Sequence, residues 1–281
     1  MVALERAGIP VDVYYASEID KNAITISQNN YPQIIRLGDV TRWREWEIPW
    51  PEIDLILAGS PCQSLSITQS KTRQGLNGKS KLFFVFVDIL NHVKTLNPNV
   101  LFLFENVASM SNESYTVISR LLGDSGYFIN SKHFSAQERP RIYWTNIAVG
   151  LIPSNRTVLR DILVPESEIP EKYYYSAPLL NVDMSKQVCA TLGIKNNEMH
   201  KRVFNPDFKC HTLTCVSGGH QQKKVLVNGR CRKLTPIEYE RLQTLPDNYT
   251  AGVSDGARYT ACGNGWTVDV IAHIFTGLLN S

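Results

Sequence analysis

A chain of 281 residues with 43% hydrophobic and 20% charged side chains can bury a large core, as one α/β domain or one domain with a small insert. Its net charge of +3 does not by itself mark a nucleic-acid partner, although it permits a local basic groove. Six scattered cysteines without a CxxC pair argue against a zinc site and a disulfide framework, and read as reduced thiols of a cytosol. No basic patch followed by an apolar stretch opens the chain, so no signal peptide is expected. The longest apolar run, residues 82–90, is broken by Asp88 and is too short to span a bilayer.

In chain order, residues 1–8 read as the tail of a helix ending at Gly8, residues 11–17 as a strand and residues 21–29 as a helix. A short strand at 34–37 leads to Gly38-Asp39, and 54–58 is the next strand. Residues 82–94 have helical periodicity, 100–104 form a strand, 115–123 a helix, and 127–134 and 141–148 two more strands. Strands separated by helices of this length imply βαβ units and a mainly parallel sheet. After Gly150 the pattern degrades, and residues 151–231, rich in Pro, Asn, Lys and Ser, read as a small irregular second domain. Residues 232–281 return to the first domain (1–150). A helix starts at Thr235-Pro236, with Thr as cap and Glu238 at its third position, and a last helix at 268–279 follows Gly263-Asn264-Gly265.

Four residues stand at strand ends, where an open α/β sheet places its chemistry: Glu18, Asp39, Cys62 and Glu105. Cys62 lies between Pro61 and Gln63 in a tight turn after an apolar strand; a thiolate there is a strong nucleophile, and a buried structural cysteine is the alternative. Glu18 suits the paired hydroxyls of a ribose and Asp39 the amine of a purine, but acidic residues in these places also cap helices. Glu105 follows a very apolar strand, so its carboxyl can have a raised pKa and donate to a ring nitrogen; a structural glutamate bonded to loop amides is equally open. Arg139 and Arg141, at i and i+2 on an extended segment, face one side. No Cys-His or Ser-His-Asp pairing is suggested, which disfavours a papain-type hydrolase.

Together and in order, these pieces resemble the DNA cytosine-5 methyltransferases over nearly the whole chain. Ser60-Pro61-Cys62-Gln63 corresponds to that family's Pro-Cys nucleophile motif, and Glu105-Asn106-Val107 to its Glu-Asn-Val motif. Gln137-x-Arg139-x-Arg141 matches Gln-x-Arg-x-Arg, the segment from Arg232 through Thr235-Pro236 and Leu242-Gln243 to Pro246 matches the stretch after the recognition domain, and Gly263-Asn264-Gly265 resembles the closing motif. The run from Gly59 to Phe84, with Gln74-Gly75-Leu76 inside it, looks like the branch that includes the animal de novo enzymes. Without their regulatory domains, the resemblance points to a cytoplasmic bacterial or phage enzyme, solitary or paired with a restriction endonuclease. It implies a Rossmann-like methyltransferase fold and S-adenosylmethionine as methyl donor, with S-adenosylhomocysteine as product. It also implies double-stranded DNA as partner, with the target base flipped out of the stack. Cys62, Glu105, Arg139 and Arg141 would be catalytic. Glu18, Ile19, Asp39, Val40, Pro61, Leu82, Asn264 and Trp266 would surround the cofactor. Gln63, Gln137, Thr214, His220, Gln221, Gln222, Lys223 and Lys224 would contact DNA, with 151–231 as the target-recognition domain. A catalytically silent DNA-binding remnant and an RNA cytosine methyltransferase of the same fold are the alternatives.

One departure stands out. The family's first motif, an apolar strand ending in a Phe-x-Gly-x-Gly-type loop, has no counterpart before the helix at 1–8. That strand is expected between those at 11–17 and 54–58, so its absence should divide the sheet and leave two strands without partners. Roughly fifteen to twenty upstream residues, the length of one strand and turn, would restore it.

Overall fold

The computed structural model describes residues 1–59, 81–216 and 218–280. Chain order in the first half is α1 (Val2–Arg6), β1 (Tyr15–Ala16), α2 (Lys21–Asn30), β2 (Ile35–Arg36), β3 (Leu55–Gly59), α3 (Lys81–Leu96), β4 (Leu101–Val107) and α4 (Asn112–Leu122). β5 (Tyr127–Asn130), β6 (Gln137–Glu138) and β7 (Pro140–Thr145) complete it. The strand order β3-β4-β7-β5 is parallel between β3 and β4 and antiparallel beyond.

Side-chain alternation along these strands divides the core into two layers. Phe102 and Phe104 of β4, Ile56 and Ala58 of β3 and Trp144 of β7 meet α3 through Phe83, Phe86, Leu90 and Val93. The Phe104 ring lies 5.1 Å from Phe86 and 5.8 Å from Trp144. The opposite face, with Leu103, Tyr143, Leu55 and Leu57, packs on Leu4 of α1 and on Val270, Ile271, Ile274 and Phe275 of α8 (Val268–Phe275).

β1 and β2 form a separate two-stranded parallel sheet, Tyr15 opposite Ile35. Among the described residues, the outer edges of β1 and β3 have no strand partner. The sheet is divided where the sequence leads one to expect it. Tyr14 and Val11 nevertheless join Leu55 and Leu57 in one apolar cluster, so side chains bridge what no ladder connects.

Residues 151–231, expected to be irregular, contain regular structure instead. β8 (Leu179–Leu180), β9 (Val188–Leu192), β10 (Arg202–Phe204), β12 (Lys224–Val227) and β13 (Arg230–Lys233) form a five-stranded sheet in the order β13-β12-β10-β9-β8, with α5 (Glu198–Lys201) between β9 and β10. β11 (Cys210–His211) pairs instead with β6. The strands escape a period-two reading because they are two to five residues long and several are buried on both faces. The Asn228-Gly229 dipeptide marks the hairpin between β12 and β13, with φ of 49° and 76°.

α6 (Pro236–Leu242) begins where expected: Thr235 and Glu238 make a reciprocal capping box. Glu238 also receives both Arg232 Nη atoms, at 2.9 and 2.8 Å, and both side chains of this pair are wholly buried. α7 (Asp255–Asn264) follows, and Tyr239, Leu242, Tyr259 and Cys262 close a third core against Phe204 and Val225 of the five-stranded sheet. Glu238→Ala should therefore cost about 3–5 kcal/mol, because it leaves a buried guanidinium with half its partners gone. The shift of the urea midpoint at constant slope measures this.

Candidate active site

The face of the four-stranded sheet turned toward α8 carries the chemistry. Counting by two from Leu103 leads to Glu105, from Tyr143 back to Arg141, and from Leu57 to Gly59. Register sets Gly59 directly opposite Glu105. Arg141 Nε lies 2.7 Å from Glu105 Oε1, and the Trp266 indole donates to Oε2 at 3.0 Å. Gly59 leaves room for this: a Cβ there would lie 3.0 Å from Trp266 Nε1 and 3.3 Å from Glu105 Oε2. Glu105 is 8% exposed. Burial raises its pKa, and Arg141, Arg139 and the Trp266 hydrogen bond pull it back only in part.

Arg139 faces the same side but is spent inside the protein. It is buried and donates from Nη1 to the Leu213 carbonyl (2.9 Å) and from Nη2 to the carbonyls of Gly263 (3.0 Å) and Gly265 (2.9 Å). Desolvation and the neighbouring Arg141 bring its pKa down to about 10. These bonds tie the chain at Leu213 to the C-terminal end of α7 and the residue that follows it.

Gln137, assigned to DNA from the sequence, is also interior. Its amide donates to Leu242 O and Gln243 Oε1 (both 3.1 Å), and its Oε1 accepts from Leu213 N (2.8 Å). Gln243 is the centre of this network and had no sequence-based role, although it lies in the matched Arg241-Leu242-Gln243 run. Its Nε2 donates to Cys262 O (2.6 Å) and Gly265 O (3.0 Å), and its Oε1 accepts from Thr267 (2.8 Å).

A cavity of about 970 Å³ opens beside Glu105's partner Trp266, with Glu18, Asp20, Tyr14, Leu57 and Asn264 among its walls. Glu18 Oε1 accepts from the Ile19 and Asp20 amides (2.7 and 2.8 Å), which fixes the carboxylate at the cavity; Asp20 in turn caps α2. Asn264 accepts from the exposed Cys215 thiol at 2.7 Å. Ile19, Asp39, Val40 and Leu82 do not line the cavity. Asp39 caps a 3₁₀ turn through Thr41 N and Oγ1 (both 2.8 Å), bonds that hold its pKa below the ordinary value.

Of the residues assigned to DNA, Thr214, Gln221 and Gln222 are half-buried and His220 is exposed, while Gln222 lines the cavity. Lys223 and Lys224 are buried and cannot meet phosphate as they stand. Lys223 Nζ lies 5.9 Å over the Phe204 ring, and Lys224 Nζ donates only to backbone carbonyls. β12, packed on both faces, takes Lys224 inside and Lys223 is buried just before it, which a local reading of consecutive lysines misses. Pro61, Cys62 and Gln63 lie outside the described residues.

This architecture is that of a Rossmann-like methyltransferase. The S. pombe Dnmt2 methyltransferase superposes with a TM-score of 0.69 at 17% identity, covering 99% of this chain and 94% of that one. The Entamoeba histolytica methyltransferase EhMeth gives 0.66 at 15% identity, covering 99% and 93%. The family model for C-5 cytosine-specific DNA methylase matches residues 1–202 and 165–280, and the chain belongs to this family of DNA cytosine methyltransferases. It is 28% identical to the type II methyltransferase M.HhaI of Haemophilus parahaemolyticus over 298 aligned positions, covering 97% of this chain and 88% of that protein. M.HpaII of Haemophilus parainfluenzae is 27% identical, with 92% and 80% covered.

Arg139→Ala should destabilise the protein by at least about 3 kcal/mol, since three interior carbonyls lose a charged donor. Arg139→Lys should recover part of that loss. Urea unfolding of both variants checks the order.

Proposed function

We propose that the chain methylates carbon 5 of cytosine in duplex DNA through a covalent adduct to Cys62, with S-adenosylmethionine as donor. The observation that carries this reading is the buried Glu105 carboxyl, clamped by Arg141 and Trp266 at the end of β4. It stands opposite Gly59, three residues before Cys62 in the chain.

The cavity fits the donor. Its volume suits a nucleoside-sized ligand, its floor of Leu57, Ile271 and Phe275 is apolar, and Glu18 supplies an anchored acceptor for ribose hydroxyls. Asn264 and Trp266 wall the part nearest Glu105. When bound, S-adenosylmethionine supplies an electrophilic methyl carbon and leaves as S-adenosylhomocysteine.

The protein's own residues prepare the acceptor. A cytosine extruded from the stack presents its ring to the strand ends. Addition of the Cys62 thiolate to ring carbon 6 pushes an electron pair through the ring toward N3, where a proton from Glu105 compensates the charge. A carboxyl whose pKa burial has raised holds that proton closer to neutral pH than an exposed one does. The electron pair then returns through carbon 5, which becomes the nucleophile for the methyl group. Loss of the carbon-5 proton to a base expels Cys62 as thiolate and restores the aromatic ring, and the N3 proton returns to Glu105. Arg141 fixes the carboxyl orientation throughout.

Cys62→Ser should abolish methylation, read by bisulfite sequencing of DNA from expressing cells; persisting 5-methylcytosine refutes the nucleophile. Glu105→Gln keeps a hydrogen-bonding side chain but loses the transferable proton. It should lower methyl transfer about 10²–10⁴-fold, the usual size of a general-acid contribution. Single-turnover transfer of a radiolabelled methyl group to duplex DNA measures that fall, with transfer RNA as the competing acceptor.

A further inference from the structure

Lys224 presents an unusual arrangement for a lysine. It is 1% exposed, at the start of β12, yet no carboxylate pairs with it among the described residues. Its three ammonium protons are matched by three backbone carbonyls: His200 O at 2.6 Å, His220 O at 2.6 Å and Gln222 O at 2.9 Å. The Tyr175 ring lies 5.5 Å from the charge and 5.4 Å from the ring of His220.

These carbonyls belong to two separate segments. His200 lies in α5, in the connection between β9 and β10, whereas His220 and Gln222 belong to the turn before β12. That turn has left-handed backbone at Gly219 (φ 62°) and at His220 (φ 61°), the latter unfavourable for a residue with a Cβ. The two segments touch once more, through the Asn196 amide on the Gly219 carbonyl. Gly218 and Gln222 wall the large cavity, so the same turn borders the active site.

We propose that Lys224 is a positioning residue for target recognition: an internal ammonium clasp that holds the 196–200 segment and the 218–222 turn in the one relative geometry that reads the DNA site. This rests on the reading that these segments face duplex DNA. Lys224 does not touch the duplex; His220, Gln221 and Gln222 present side chains from a backbone that Lys224 pins. A buried ammonium with all three protons used is directional, whereas an apolar side chain of the same length leaves three carbonyls without a donor.

The clasp titrates. Desolvation brings Lys224 down to about 8, and the titratable or charged neighbours are Lys223, Cys231, Lys233, His200, His220 and Tyr175, none of them a carboxylate. Loss of the proton leaves two donors for three carbonyls. The sign separates recognition from stability. A lysine whose folded pKa lies below its unfolded value opposes folding while protonated, and that opposition fades as pH rises from about 8 towards 10.5. Alkaline loss of recognition should thus occur without a loss of stability from this group.

The test is selection from a pool of random duplexes, with sequencing of the bound fraction, using the full chain, Lys224→Met and Lys224→Arg. At pH 7 the wild-type chain should enrich a narrow motif, and Lys224→Met a degenerate one with roughly tenfold weaker binding, both selected at a temperature where circular dichroism shows each protein fully folded. Wild-type selectivity should broaden above pH 8. Lys224→Arg, whose guanidinium stays charged, should be narrower than Lys224→Met and lack the pH dependence. An identical motif and affinity for Lys224→Met, or an alkaline limb that survives in it, overturns the clasp. Failure of the wild-type chain to bind duplex DNA at pH 7 overturns instead the functional reading on which the clasp rests.

Discussion

At the end of β4, the cost of burying a carboxylate is set against two guanidiniums and one indole N–H. Glu105 is removed from water on the sheet face that packs on α8, and that face is dictated by the alternation of Leu103 and Tyr143 into the same apolar layer. Arg141 arrives by the antiparallel β4–β7 register, and Trp266 from the turn that starts α8. Shifting β7 by one residue would turn Arg141 toward the Phe104 layer and leave Glu105 without its closest cation. The site thus depends on a ladder register, and the register depends on which hydrophobic residues face α3 and which face α8.

A second theme follows from burying cations whose hydrogen bonds go to backbone carbonyls. Arg139 and Lys224 each satisfy three backbone carbonyls, and each joins segments far apart in sequence. Loops that turn inward expose carbonyls that no ladder uses, and a charged donor serves several of them at once. In both residues burial lowers the pKa, the signature of a charge taken from water without a full counter-charge. Net charge is therefore a poor guide to the DNA-facing surface here, because part of the positive charge is structural. By contrast Arg232 carries a carboxylate on either side, Glu238 and Glu166, and belongs to the framework of α6.

The sequence made the strand ends legible because they follow apolar runs, and it made the start of α6 legible because Thr235, Pro236 and Glu238 each have one physical use there. The common side of Arg139 and Arg141 followed from a two-residue period. Their fates did not follow, because Leu213 and Gly263, which absorb Arg139, lie more than seventy positions away. Gln137 and Lys224 look like DNA contacts in the sequence because a polar side chain on a short strand looks solvent-facing until its packing partner is known. The five-stranded sheet is hard to see in the sequence because its strands are only two to five residues long and several are buried on both faces, and only Asn228-Gly229 marks a hairpin. Asp39 turned out to cap a helical turn, the ordinary use of an acid after a strand.

The divided sheet affects the cavity beside Trp266 most directly. β1 and β2 hold each other by a two-residue ladder, and among the described residues β3 pairs only with β4. The halves are joined largely by the apolar contact of Tyr14 and Val11 with the layer that contains Leu55 and Leu57, supported by Leu4 and α8 and by Arg6 on Asp269 and the Thr244 carbonyl. Hydrophobic contact is non-directional, so it fixes the separation of the halves less tightly than a hydrogen-bonded ladder does. Glu18 stands on the β1 side of the cavity, and Trp266, with Glu105 behind it, on the β3 side. The distance between Glu18 and Glu105 is therefore set largely by side-chain packing, while the distance from Glu105 to Arg141 is set by a ladder. Local opening is expected first where ladders are shortest, so the wall carrying Glu18 is the part of the site least constrained by the fold.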